Sequence, residues 1–428
     1  MVPPRLRDRM RRGTILNVLG SGFGQGSTLI INIVVARMLG LEAFGQYALI
    51  QSTLLAVAFV AQMGTGITAT RYVAEFRLTD PSRAGRIVGL CALATIVSSG
   101  VAFLTLFLGA DWISRVAMRE PSLALALRIG AALVIFNCLN FSQMGALSGF
   151  ENYSSLARIG LVSGCIALCT SVLATLAFGL IGAVISLVLT ALVRWSLCQY
   201  ALNRDLRRYE IVVDYQGAWA ERAILWNFTL PAGLSSILTT PAIWLANLCL
   251  IQQPNGFNQN ALYNAALNLK TAVMFLINNI NAVGMTLLSN HKGPNDRQQF
   301  RRLYFANIAL STALMFITSG AMLLAGPNLL RLYGKNFDNA WIILCILLLV
   351  AALETVSLGV YQIIQTHDRM WASLLLIVLP VSVVLPVMSY WWVPIYGATG
   401  LAAAVATSVF VQLFMTCLVA LPIARKVL

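Results

Sequence analysis

Asn203–Arg222, NRDLRRYEIVVDYQGAWAER, is the longest polar interruption in the chain. The sequence on one side of it resembles the sequence on the other. Gly179-x-x-Gly182 opens an apolar run before the strip, and Gly397-x-x-Gly400 opens its counterpart after it. Gly109-Ala-Asp and Gly326-Pro-Asn close the third apolar run of each half, and Tyr47 and Tyr263 lie near the start of the second. These pairs are 216 to 218 residues apart. The chain therefore reads as one architecture written twice, with lobes at 1–205 and 223–428 and a cytoplasmic loop, 206–222, between them.

The 428 residues are 59% hydrophobic and 10% charged, with mean hydropathy +0.79, which fits a protein dissolved in a bilayer rather than a soluble core with a polar shell. Crossing a hydrocarbon core of about 30 Å takes roughly 20 helical residues. Twelve stretches qualify: 14–36, 44–66, 84–110, 123–148, 157–178, 180–201, 223–250, 261–288, 300–326, 339–365, 372–392 and 396–423. Backbone amides cannot stay unpaired in lipid, so these are helices. The expectation is an all-α polytopic membrane protein, two six-helix lobes around a central cleft. The basic start, MVPPRLRDRMRRG, precedes an apolar run that continues to Ala36 without a cleavage site, and reads as an uncleaved first helix.

Basic residues set the orientation. With the N-terminus cytoplasmic, loops and ends on that side hold 21 Lys and Arg against 5 on the other; Arg128, Arg194 and Lys270 lie within spans, accounting for all 29. Both termini are expected in the cytoplasm. The net charge of +14 is then a topology signal and an attraction to anionic headgroups, not a nucleic-acid surface. All eight cysteines sit in apolar segments without a Cys-x-x-Cys pair, and the two histidines, His291 and His367, lie in polar loops, so neither a metal site nor a cofactor is expected. An even number of spans per repeat makes the repeats parallel, an arrangement in which transporters bind ligands between lobes.

Charges within spans cost about 2.5 to 3.5 kcal/mol each on insertion scales. Lys270 lies deep in the eighth span, with Asn278 and Asn281 on the same face of the helix. It reads either as a cation for a diphosphate or as the partner of an acid on a neighbouring helix. Arg128 starts the fourth span, where it can snorkel or meet substrate. Arg37 and Arg158 flank the first and fifth spans, as interfacial anchors or as substrate contacts. Arg194 reads as a topology residue. Glu354, the acid nearest the centre of any span, is a candidate for binding a proton or sodium ion, or for neutralising a basic residue. Asn17, Gln25 and Asn32 share a polar face of the first helix, which either packs closely on a neighbour or lines a hydrated cavity. Pro231 and Pro241, and Pro380 and Pro386, permit bends in the seventh and eleventh spans.

Ala36-Arg37-x-Leu39-Gly40-x-x-x-Phe44-Gly45-x-Tyr47 and Arg71-Tyr72-Val73-Ala74-Glu75 resemble the polysaccharide transporter family, the bacterial O-antigen flippases of the multidrug/oligosaccharidyl-lipid/polysaccharide exporter superfamily. The resemblance continues through Gly145-x-Leu147-x-Gly149, Leu262-Tyr263-Asn264-Ala265, Leu332-Tyr333-Gly334-x-x-Phe337-x-x-Ala340 and Ile395-Tyr396-Gly397-Ala398-x-Gly400. It implies an inner-membrane protein that moves a polyprenyl-diphosphate-linked oligosaccharide from the cytoplasmic to the outer leaflet through a cationic cleft. It also raises a polysaccharide polymerase and a chain-length regulator as partners. A peptidoglycan-precursor flippase and a cation-coupled drug or metabolite antiporter are the rivals within the superfamily. A membrane polymerase or ligase fits less well, because the outer loops are short and carry no histidine.

Overall fold

A computed structural model describes residues 4–289, 297–366 and 370–427, with side chains placed for most of them. His291, His367 and the side chain of Asn17 fall outside the described set. The described chain is helical, without a strand. Its principal helices are α1 (Pro4–Leu39), α2 (Leu41–Gln62), α3 (Thr65–Phe76), α4 (Pro81–Trp112), α5 (Ala124–Gly149) and α6 (Tyr153–Arg208). They continue as α7 (Leu230–Ile251), α8 (Gly256–Ser289), α9 (Arg297–Tyr333), α10 (Ala340–Thr366), the short α11 (Met370–Ser373) and α12 (Leu379–Val427). Among the described residues, eight helical segments are long and apolar enough to cross a membrane. The 34-residue α8 is also long enough to cross, and carries Asn264, Asn268, Lys270, Asn278, Asn279 and Asn281 along its length. The protein is thus an all-α polytopic membrane protein.

Two of the eight segments are each two helices. α6 and α12 bend at Gly179 (φ 56°, ψ −130°) and Gly397 (φ 57°, ψ −131°), a backbone conformation that essentially only glycine adopts. Beyond each bend the chain doubles back so closely that a Cβ on Gly182 would meet the Ala174 carbonyl, and one on Gly400 the Trp392 carbonyl. Residues eight apart in a straight helix would stand about 12 Å apart along its axis. The same turn, glycine for glycine, therefore recurs at an interval of 218.

Burial repeats as well. Leu49, Ile50, Leu54, Ala58 and Ala61 of α2 are buried, and so are Ala265, Ala266, Lys270, Met274 and Ile277 of α8, each 216 residues later. Ala84, Val88, Cys91, Thr95 and Ser99 of α4 match Phe300, Tyr304, Asn307, Ser311 and Met315 of α9 at the same interval. Ala126, Leu127, Ala131, Val134, Cys138 and Asn140 of α5 match Ile343, Leu344, Leu348, Ala351, Thr355 and Ser357 of α10 at 217. Val184, Ala191, Cys198 and Leu202 of α6 match Ala402, Val409, Thr416 and Ala420 of α12 at 218. Each helix thus turns the same face inward in both copies.

The chain forms two compact units, Met1–Leu39 with Leu49–Thr240, and Gly40–Ala48 with Pro241–Leu428. In the first unit, α1 packs along α6, and α5 contacts α3, α4 and α6. Small residues allow the α3–α5 approach: a Cβ on Gly145 would meet the Gly66 carbonyl, and Thr70 Oγ1 donates to the Gly145 carbonyl at 2.9 Å. The polar strip is not a free linker. It leaves α6 at Arg208, lays the Val212 and Asp214 carbonyls against Gly85 and Gly89 of α4, and is clamped where Glu221 meets Arg83 at 3.1 Å and Arg86 at 3.4 Å. Arg71, spaced for a pair with Glu75, instead lies over the Phe228 ring at 4.6 Å.

In the second unit, α10 packs on α8, α9 and α12. The short segment Gly40–Ala48 joins it through aromatic contacts: Phe44 lies 6.1 Å from Tyr333 and 6.0 Å from Phe337, edge to face in both cases. Asn260 Nδ2 donates to the Gly45 carbonyl at 2.9 Å, and a Cβ on Gly45 would meet the Phe257 carbonyl. Two stretches singled out in the sequence, around Phe44 and around Tyr333, are therefore one packing unit.

Of the four prolines expected to bend spans seven and eleven, Pro231 and Pro380 follow π-helical turns, whereas Pro241 and Pro386 lie inside α7 and α12. Leu225–Thr229 precedes Pro231, and Leu374–Val378 precedes Pro380. Leu230 N–H donates to Leu225 O and Leu379 N–H to Leu374 O, so the wider turn comes just where proline lacks a donor.

Alanine at the two bend glycines should separate backbone strain from contact. Gly179 has open space around it, whereas a Cβ at Gly397 would strike Gln259, whose Oε1 accepts from Ala398 N at 2.6 Å. G179A should lose about 1–3 kcal/mol from strain alone, and G397A more. Thermal unfolding in detergent should rank the melting points as wild type, G179A, then G397A; equal losses would mean the Gln259 contact contributes nothing.

Candidate functional site

Lys270 lies near the middle of α8 and is buried, 8% exposed. Its ammonium donates to Glu354 Oε1 of α10 at 2.7 Å, so the deep cation and the deep acid identified from sequence are partners across two helices. An isolated charge would be expensive here, and a short hydrogen-bonded pair offsets that cost. Neither group is sealed away: the Glu354 side chain keeps 25% of its surface exposed and the Lys270 side chain 10%. Both line a cavity of 340 Å³ together with Thr271, Met274 and Asn278 of α8, Leu358 of α10 and Gln412 of α12. Small-ligand pockets run from about 300 to 1,000 Å³, so the space lies at the small end of that range.

Asn278 is exposed to this cavity, as its place on the Lys270 face suggested. Asn281 is buried elsewhere. Its Oδ1 accepts from Gln362 Nε2 at 3.1 Å, Asn307 Nδ2 at 3.2 Å and Ser311 Oγ at 3.4 Å, tying α8, α9 and α10 together. The first unit has a reduced version of this network, with Thr95 Oγ1 donating to Thr65 Oγ1 at 3.1 Å, both residues 216 positions earlier.

The other sequence candidates do not join the cavity lining. Arg128 pairs with Asp111, both side chains over 40% exposed. Arg37 is exposed in the last turn of α1, and Arg158 is exposed near the start of α6. Gln25 is half-buried and Asn32 buried on α1, which packs on α6. A Cβ on Gly20 of that helix would meet Ala157 of α6, the close approach expected of small residues. Sequence reading missed Thr271, Met274, Leu358 and Gln412. Gln412 carried the one usable signal, a polar residue in an apolar span. Among the described residues, no cluster of three His, Cys, Asp or Glu is placed to hold a metal ion.

The chain is a polytopic all-helical membrane protein folded as two copies of one helix set, with a charged pair facing a cavity. The MATE-like fold is shared with a superfamily transporter from Pyrococcus furiosus, 15% identical, at a TM-score of 0.74 over 96% of this chain and 95% of that one. It is shared too with an outward-facing multidrug resistance MATE family transporter, 18% identical, at 0.72 over 97% and 96%. The family described as polysaccharide biosynthesis protein matches residues 10–285, and the chain belongs to that family. Among curated relatives, the EPS I polysaccharide export inner membrane protein EpsE of Ralstonia nicotianae is 23% identical over 87% of this chain and 84% of its own. EpsE of Ralstonia solanacearum is 24% identical over 92% and 90%.

The two copies suggest a test of the ion pair. Lys270 and Glu354 correspond, at 216 and 217, to Leu54 and Asn137. K270L alone leaves a largely buried carboxylate unpaired and should cost about 2 kcal/mol or more, given partial solvation of Glu354. K270L/E354N copies the pair that the first unit carries and should recover most of that loss. Thermal melts of the single and double variants measure this; a double variant no better than the single would show that the charges are not coupled.

Proposed function

We propose that the protein is a flippase that carries a polyprenyl-diphosphate-linked oligosaccharide from the cytoplasmic to the outer leaflet of the bacterial inner membrane. The observation that carries this reading is a buried lysine, held by a carboxylate and facing a cavity, in a transporter of the polysaccharide family. The role of the EpsE relatives, polysaccharide export at the inner membrane, agrees with it.

A glycan head and a diphosphate lose several kcal/mol for each polar group stripped of water in hydrocarbon, whereas the prenyl tail is at home there. The working arrangement is a wet cationic cleft between two six-helix lobes, 1–205 and 223–428, joined at 206–222 and rocking in alternating access. Lys270 meets the diphosphate by exchanging Glu354 for it, with Asn278 as a hydrogen-bonding neighbour. Glu354, released, takes a proton or sodium ion, which couples the cycle to a gradient. Arg37, Arg128 and Arg158 add positive charge along the path, and Asn17, Gln25 and Asn32 line it. Both termini face the cytoplasm. Export of a diphosphate is also favoured by an inside-negative potential, by about 2.3 kcal/mol per charge per 100 mV. The product feeds a polysaccharide polymerase and its chain-length regulator.

Lipid-linked oligosaccharides extracted from cells with and without the protein, their sidedness probed by a membrane-impermeant reagent, test the reading. Loss of the protein should leave complete units facing the cytoplasm. Normal sidedness would point to an antiporter, and outward-facing units that fail to polymerise to an enzyme. In the same assay K270A should abolish outward movement, and E354Q should abolish gradient-driven movement while the lipid still binds.

A further inference from the structure

The repeat carries Arg194 of α6 onto Gln412 of α12, which lines the Lys270 cavity. The register is secure at this point. Gly179 and Gly397 share one backbone conformation, and the buried pairs Ala191/Val409 and Cys198/Thr416 lie on either side of Arg194/Gln412 at the same interval of 218. The two side chains therefore leave their helices in equivalent directions. The remaining polar positions of the cavity translate to Leu54 for Lys270, Leu55 for Thr271, Asn137 for Glu354 and Gln62 for Asn278. At the corresponding positions the first unit thus carries its cation on a different helix and no acid.

Arg194 is half-buried, and its surroundings leave it chemically unspent. Its Nη2 donates to Met144 Sδ at 3.3 Å, a weak thioether acceptor, and its Nε is buried without a hydrogen-bond partner. Among the described residues no carboxylate pairs with it. It stands five residues before Gln199, whose amide donates to Asn203, or about 7.5 Å along the helix axis, within the reach of a snorkelling side chain. With no carboxylate spending its charge, its planar fork of donors is available to phosphate oxygens.

We propose that Arg194 is the anion-binding residue of the first unit, a subsite for a phosphate group of a lipid-linked diphosphate, separate from Lys270. The lipid-linked identity of that ligand rests on the flippase reading; the anion subsite rests on Arg194 itself. Unlike Lys270, Arg194 has no carboxylate to displace, so this subsite is open to an anion without an exchange step.

The test is binding of inorganic pyrophosphate and of farnesyl diphosphate to the full chain in lipid nanodiscs, for wild type, R194Q and R194K, with thermal unfolding measured alongside. R194Q introduces the side chain that the second copy accommodates at this position. It should lower affinity for both anions about tenfold, the worth of one charged hydrogen-bonding contact, with the unfolding temperature unchanged, and R194K, which keeps the charge but loses the fork, should fall between R194Q and wild type. Equal binding by R194Q and wild type overturns the proposal. So does a wild type that binds neither anion, or a loss that tracks unfolding in both variants. A wild type that binds pyrophosphate but not farnesyl diphosphate, with the R194Q loss intact, retains the subsite and removes the lipid-linked substrate.

Discussion

Hydrocarbon offers no hydrogen bonds, and the architecture follows from that lack. Backbone amides in the spans pair within their helices or, at the α12 bend, with the Gln259 side chain, and the ladder widens into a π turn before Pro231 and Pro380. Many polar side chains follow the same rule in groups. Asn281 Oδ1 gathers Asn307, Ser311 and Gln362 across three helices, and Lys270 and Glu354 neutralise each other across two. That pair is left partly open to a cavity, and Arg194 has a sulfur atom as its acceptor.

Much of this was legible in the residues. Length and apolarity place the spans, and the glycine pairs at 179/182 and 397/400 mark the duplication. Lys270 and Glu354 stood out as the deep cation and the deep acid. That they pair was one of several readings, because a contact across 84 residues depends on which helices adjoin. Asn281 shows the limit of helical-wheel reasoning. Its angle from Lys270 is small, but eleven residues move it about 16 Å along the axis, into a different set of neighbours. Thr271, Met274 and Leu358 could not be found because nothing distinguishes them from ordinary span residues. Arg194 was obscured by its nearness to the basic strip, which made topology a sufficient explanation.

Several of the motif residues that carry the family resemblance gather away from the charged pair. Phe44, Gly45, Tyr333 and Phe337 meet in one aromatic cluster, and Gly397 abuts Gln259. These residues hold the short segment 40–48 in the second unit rather than touching the cavity. That division explains why such motifs identify the fold well and the cargo poorly: packing geometry is shared, while the residues lining the site are spread singly over α8, α10 and α12.

The interval between the copies grows from 216 to 217 between α4 and α5, and to 218 before α6 bends back. One residue inserted within a helix would rotate everything beyond it by about 100°, turning buried faces toward lipid and apolar ones inward. One residue added to a turn rotates nothing. Burial sets Gly326 opposite Ala110 at 216, one residue from the Gly109 pairing read in the sequence, so the first increment falls between Ala117, which matches Tyr333, and Leu123, which matches Ala340, where the helices are interrupted. The two copies have thus been free to drift in length only at the turns, and within each helix the phase of the ancestral copy has been locked.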